Sequence, residues 1–232
     1  MVPVREPQCV LCGDRLFGAQ LLMGDGRCQN CRDQEPEFAR AVSFGAYEGG
    51  LRGLVHLLKY ERVAPVAPVL GGMLASSIAE LLPACGEAVP LIVPVPLHSR
   101  KRSERGFNQA EVIARAALKR LPQPVAFAAA VLVRQRDTVS QVGLSREERI
   151  ANMRDAFRVK DRRLVQGRAV IVVDDVMTTG TTLSECARVL KKAGAQKVWA
   201  ATVARAFQGA APRAGANHGE EETEAAVLAT SE

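Results

Sequence analysis

The chain has 232 residues, 47% of them hydrophobic and only 4% aromatic, with a formal charge of +6. That length suits one sizeable α/β core with a small appendage, and the composition excludes a fibrous or wholly disordered chain. The charge is uneven: residues 206–232 hold Arg213 against Glu220, Glu221, Glu222, Glu224 and Glu232, a net of −4, so the rest carries +10. A basic body suits phosphate-rich partners, a nucleotide or a nucleic acid strand, although a basic surface tuned for solubility has the same composition.

Met1 to Gln8 carries Arg5 and Glu6 and reaches a cysteine without an apolar run, unlike a signal peptide. Cytoplasmic location is the expectation. Cys9-x2-Cys12 and Cys28-x2-Cys31 follow, two knuckles whose four thiolates can close a tetrahedron around Zn²⁺. Residues 1–36 are too few and too polar for a core, so a structural metal is expected to hold them as a zinc ribbon or knuckle. Two disulfides are the alternative, disfavoured without an export signal. Cys85 and Cys186 read as buried packing residues.

From Phe38 to Tyr47 a short strand is expected, then Gly49-Gly50 and a helix from Leu51 to Lys59 with Leu51, Leu54, Val55 and Leu58 on its apolar side. Lys59-Tyr60 lies where it could reach a phosphate, and His56 is given no role. Val63 to Leu82 is apolar but interrupted by Pro65, Pro68, Ser76-Ser77 and Glu80, which predicts an amphipathic helix rather than a membrane span.

Pro90 to Pro96 predicts a second buried strand ending in a proline-rich turn. His98 to Arg105 holds four basic residues against one acid and reads as a loop whose cations suit a pyrophosphate. A helix is expected from Gly106-Phe107-Asn108-Gln109 to about Leu121. Val131-Leu132-Val133 predicts a third strand. Ser145 and Glu148 form a capping-box pattern for a short helix through Asn152. Between Arg134 and Arg163 the net charge is +4. The polar stretch from Thr138 to Leu144 reads as a surface loop.

Residues 169 to 182 organise the rest: Ala-Val-Ile-Val-Val-Asp-Asp-Val-Met-Thr-Thr-Gly-Thr-Thr. Val170 to Val173 predicts a strand buried on both faces, ending at Asp174 and Asp175. A turn, Thr178-Thr179-Gly180-Thr181-Thr182, leads into a helix with Leu183, Ala187 and Leu190 on one stripe and Gly194 as its stop. Backbone N–H groups and the helix's positive end converge on one point there, which suits a phosphate. Two carboxylates beside a phosphate repel it and accept hydrogen bonds from sugar hydroxyls instead, so the ligand is a 5-phosphorylated ribose. A last strand is expected from Lys197 to Ala204. The Gly/Ala/Glu-rich segment 208–232 lacks periodicity and is expected to be disordered.

Val170 to Thr182 resembles the phosphoribosyl pyrophosphate (PRPP) loop of type I phosphoribosyltransferases. That resemblance implies a mostly parallel sheet flanked by helices over residues 37–207. It also implies Asp174 and Asp175 as catalytic, ribose-holding acids and Thr178, Thr179, Gly180, Thr181 and Thr182 as the 5-phosphate site. Pro96, Leu97, His98, Ser99 and Arg100 would form the pyrophosphate loop, with Mg²⁺ accompanying PRPP, and Thr138 to Leu144 resembles the loop that closes over the site.

The paired Cys-x-x-Cys, Leu51 to Tyr60, Val93-Pro-Val-Pro-Leu with Arg105-Gly-Phe-Asn-Gln, and Arg134 to Asn152 occur in the order found in the ComF family of bacterial competence-associated proteins. The resemblance implies DNA uptake or reuse, with single-stranded DNA and other competence proteins as partners. Arg102, Arg105, Arg134, Arg136, Gln141 and Arg149 are the mobile-loop or DNA-contact candidates. Few aromatics make the expected DNA contact mostly electrostatic. Hypoxanthine-guanine enzymes carry an aspartate where this chain has Thr178, and orotate-type enzymes have a lysine in the mobile loop, absent from Arg134 to Arg149. Neither specificity is expected. A transferase acting on an unidentified nucleobase-like acceptor is the alternative to a PRPP-binding, DNA-associated protein.

Overall fold

The computed structural model describes residues 7–61, 63–135 and 155–207. In chain order its main elements are α1 (Ala19–Leu22), α2 (Gln29–Asp33), β1 (Ala41–Ala46), α3 (Gly49–Lys59), α4 (Ala67–Leu81), β2 (Leu91–Pro94), α5 (Ser99–Arg105) and α6 (Gln109–Leu118). They continue as β3 (Ala126–Phe127), β4 (Leu132–Arg134), β5 (Phe157–Val159), β6 (Ala169–Met177), α7 (Thr181–Lys192) and β7 (Lys197–Arg205).

Five strands form a parallel sheet in the order β1-β7-β6-β2-β3. The apolar run of the central motif therefore lies mid-sheet, as its burial on both faces requires. Successive side chains on a strand point to opposite faces, and β6 and β7 use both. Ile171, Val173, Trp199 and Ala201 pack with α3, α4 and α6 through Val55, Leu70, Leu74, Ile78 and Ile113. Val170, Val172, Val198 and Ala200 pack with Leu183, Cys186, Ala187 and Leu190 of α7 and with the four N-terminal cysteines. Each fully buried Leu or Ile contributes about 1.5–3 kcal/mol of transfer free energy.

α4 with the helical turn after it, Ala67–Cys85, is long and apolar enough to cross a membrane, but half of it is buried in the fold. Pro68 does not interrupt it, because it falls in the first turn where its missing N–H has no intrahelical acceptor to lose. Gly71 lets α4 approach α6 closely: a Cβ there would lie 2.5 Å from Ala116 Cβ. Leu70, Leu74, Ile78 and Leu81 are buried on one face and Pro68, Val69, Ser76 and Glu80 are exposed, the one-sided pattern expected.

Several other expectations change. β6 does not stop before the acids but carries Asp174 and Asp175 within the strand, paired with β7 as far as Met177 opposite Arg205. The basic run expected as a loop is helical as α5, leaving only the turn before it irregular. The third predicted strand, β4, does not join the main sheet; it pairs antiparallel with β5, which the sequence reading did not anticipate. The strand beside β2 is instead the short β3, also unanticipated. α6 ends at Leu118, and its N-cap Asn108 accepts from Ala110 N–H at 3.1 Å while donating to Val95 C=O at 2.9 Å. The predicted helix at Ser145 to Asn152, the loop Thr138 to Leu144, Arg136, Gln141 and Arg149, and the tail 208–232 lie outside the described residues.

Candidate functional site

In an open parallel sheet the ligand crevice lies beyond the carboxyl ends of the strands, where the chain crosses to either side of a central strand. Here that place is the end of β6, with β2 on one side and β7 on the other. The turn after β6 puts Gly180 at the N-cap of α7 with φ 80° and ψ 0°, a left-handed conformation that favours glycine. A Cβ would also lie 2.6 Å from Met177 Cε, so glycine is required there for space as well. The N-cap glycine has no side chain to cap this helix, and only a long contact of 3.4 Å from Thr181 N–H to Thr179 Oγ1 meets its first turn. Its first-turn N–H groups have no intrahelical acceptors, an arrangement that could hold an anion. Thr179 and Thr181 share a hydroxyl hydrogen bond of 2.9 Å beside it. Thr178 is exposed, and Thr181 and Thr182 are half-buried.

The acidic pair is less symmetric than a Asp-Asp motif suggests. Strand alternation sends Asp175 toward the α3 face and Asp174 toward the α7 face. Asp174 Oδ1 accepts from Asp175 N–H at 2.9 Å, and Asp175 Oδ1 accepts from Val176 N–H at 2.8 Å. Lys59 Nζ lies 2.7 Å from Asp175 Oδ2. Burial, and then the charge of Asp175, push the Asp174 carboxyl up to about 8, with Lys59 opposing the rise. For Lys59 itself burial works against the charged form, but the attraction of Asp175 outweighs it and the net shift is upward.

Lys59 is the residue whose place sequence reasoning missed. The structure commits it to a carboxylate instead of a phosphate, while the neighbouring Tyr60 is exposed. Its only signal in the sequence is a lysine closing an otherwise apolar helix face.

The turn after β2 lies alongside. Pro94 is in register with Val173, and Val95 N–H donates to Val173 C=O at 2.9 Å. Pro96 is therefore buried at the edge of the crevice, with Leu97 and His98 half-buried and Ser99 and Arg100 opening α5. Arg102 is exposed, and Arg105 places its guanidinium 5.5 Å from the Tyr60 ring centroid. Arg134 is on β4, its guanidinium 5.7 Å from the Phe157 ring, and is not grouped with Arg102 and Arg105 by any shared element. Two cavities, of about 470 and 1000 Å³, lie elsewhere, against α4 and along β1.

The second candidate centre is the cysteine cluster. The Sγ atoms of Cys9, Cys12, Cys28 and Cys31 all lie within 4.8 Å of one another, and all four residues are buried. A tetrahedral Zn–S₄ site with bonds of about 2.3 Å has S···S edges of about 3.8 Å. The Cys12–Cys28 separation of 3.6 Å fits that geometry. All six cysteines are free, so the two-disulfide alternative fails. Hydrogen bonds shared among the crowded sulfurs pull Cys9 and Cys28 down and push Cys12 and Cys31 up. Arg205, at the end of β7, donates to Cys12 Sγ at 3.5 Å and pairs with Asp14 at 3.3 Å, both side chains nearly inaccessible to water. Cys85 is buried in the core on the other face of the sheet, and Cys186 in the same core as the four cysteines, but neither belongs to the group of four.

The phosphoribosyl transferase domain family matches residues 108–227. The DNA utilization protein YhgH of Salmonella typhi is 36% identical over 74% of this chain and 74% of its own length. Competence protein F of Haemophilus influenzae is 30% identical over 86% of this chain and 85% of its own. The chain belongs to the ComF family. A ComF chain of this kind has the type I phosphoribosyltransferase fold, a parallel sheet flanked by helices, with four clustered cysteines that could hold a metal. A solved hypoxanthine phosphoribosyl transferase of Trypanosoma cruzi is 15% identical, with 60% of this chain and 64% of that one covered and a TM-score of 0.38, which adds nothing to the family match.

Proposed function

We propose that this ComF chain binds PRPP with Mg²⁺ and serves the cytoplasmic handling of single-stranded DNA in competence or DNA reuse. The observation that carries the PRPP reading is the uncapped start of α7 at left-handed Gly180, next to two carboxylates at the end of the central strand. Thr178 to Thr182 would hold the 5-phosphate, Asp174 and Asp175 the ribose diol, and Pro96 to Arg100 the pyrophosphate. Mg²⁺ would travel with the pyrophosphate and neutralise it. The four cysteines would hold Zn²⁺, keeping residues 1–36 on the 37–207 body.

The names of the relatives, DNA utilization and competence, support the DNA part. The basic residues Arg102, Arg105 and Arg134, with Arg136, Gln141 and Arg149, are its contact candidates. PRPP–Mg²⁺ should raise the melting temperature of the wild-type chain and leave Asp174→Asn/Asp175→Asn unmoved. An equal shift in both proteins removes the assigned role. Filter binding of single-stranded DNA should weaken steeply with salt, and affinity indifferent to salt rules out phosphate contact.

A second reading, transfer of phosphoribose to an acceptor, is favoured by the burial of Asp175. Asp175 is 6% exposed, and a carboxylate shielded from water stabilises positive charge developing at the sugar C1 more than a hydrated one does. Pyrophosphate release with a nucleobase panel tests it; absence of turnover leaves PRPP as a bound ligand only.

A further inference from the structure

Lys59 and Asp175 come from α3 and β6, and both are largely withdrawn from water, at 19% and 9% side-chain exposure. A buried ammonium needs a counter-charge, and so does a buried carboxylate. We propose that Lys59 is a positioning residue of the sugar site, holding Asp175 as an anion in one orientation so that the acidic pair meets a vicinal diol as two unlike groups. This rests on the phosphoribosyl reading and adds to it a residue and a charge state.

Geometry separates the two acids before any ligand arrives. Each ties one oxygen to the backbone N–H of the next residue. The second oxygen of Asp175 faces Lys59, whereas among the described residues no ion pair engages Asp174. Tyr47 joins Asp174 and Asp175 in the field at Lys59. Beyond Asp174, on the other face, Cys186 is buried and neutral, with Arg134 acting on it from β4. The ammonium of Lys59 faces Asp175, while burial and then the charge of Asp175 push the Asp174 carboxyl up to about 8. The pair thus offers an acceptor held by an ammonium on one side and, on the other, a carboxyl biased toward its proton and able to donate. Together they match a diol, whose two hydroxyls each donate and accept.

Removing the ammonium leaves a buried carboxylate beside another carboxyl with no cation, and such a group takes up a proton. Calorimetric titration of the full chain with PRPP–Mg²⁺ from pH 6 to pH 9 tests this on wild type, Lys59→Met, Lys59→Gln and Lys59→Arg. The neutral variants should lose roughly tenfold or more in affinity at pH 7 and regain part of it toward pH 9, as rising pH favours the anionic acidic pair in place of the lysine. Lys59→Arg should keep the wild-type pH profile. Neutral variants with wild-type affinity and profile, or a uniform loss at every pH in all three variants, overturn the positioning role while the phosphoribosyl reading stands. Wild-type protein that ignores PRPP at every pH overturns both. A variant that melts below the assay temperature is replaced by the other neutral one.

Discussion

Two regions of this chain crowd charge onto the same sheet and resolve it in opposite ways. At the cysteine cluster the surplus is closed inward: Arg205 and Asp14 pair at 3% and 5% exposure, and the guanidinium also touches Cys12. At the end of β6 only half is closed, because Lys59 meets Asp175 while Asp174 stays half-buried and α7 begins without a cap. A buried charge paired with an opposite one supports folding, even though Arg205 Nε and Nη1 make no hydrogen bond; a helix start whose N-cap has no side chain to cap it invites a ligand. The first region should fail by unfolding, and the second by ceasing to bind.

The largest effect should come from the cysteine cluster and the metal it is proposed to hold. Chelation, or Cys12→Ser, should lower the melting temperature by about 10 °C or more, followed by calorimetry alongside thiol titration. A chain that melts unchanged after its thiols become reactive would make the cluster dispensable. Next, Arg205→Met should cost about 3–5 kcal/mol in denaturant unfolding, because Asp14 is then left buried without its cation. If the second region is built for binding, Gly180→Ala should abolish PRPP-dependent stabilisation while costing only about 1–3 kcal/mol of backbone strain, plus what Met177 needs to move aside.

A smaller effect has a definite sign in pH. The folded state holds the Asp174 proton up to about 8, whereas the unfolded carboxyl releases it near its ordinary 3.8. Between those values the folded state binds more protons, so stability falls as pH rises and levels off above the upper one. Asp174→Asn should remove that slope and raise the melting temperature by a few degrees at pH 8, with little change at pH 4. Melting curves across pH check it, and a parallel slope in the variant would refute the assignment. Smallest of all, Arg115→Ala on α6 breaks an exposed pair with Glu111 and should leave both regions unchanged within about 0.5 kcal/mol.

Much of this was readable because it is local. The run Val170 to Val173, the turn at Gly180, the stripe Leu183–Ala187–Leu190 and the two cysteine knuckles each carry their meaning within a few residues, and each appears in the fold as expected. The elements misread were those whose local signal is weak or ambiguous. Two- and three-residue strands such as β3 and β5 are too short for a period to show, and the charged run of α5 has helix propensity that a reading for cations passed over.

The sequence by itself determined the kind of ligand seat, a glycine turn at a helix start preceded by acids, because backbone geometry and hydrogen-bonding capacity are properties of adjacent residues. It also determined a four-thiolate cluster, since spacing alone puts paired sulfurs on one turn. Only the tertiary structure decided that the two acids are unlike. Which face of β6 each side chain enters follows from strand alternation, but what waits there depends on where α3 and α7 dock. That docking is fixed by apolar packing far from the charges, which brings the end of one helix, and its lysine, against a single carboxylate.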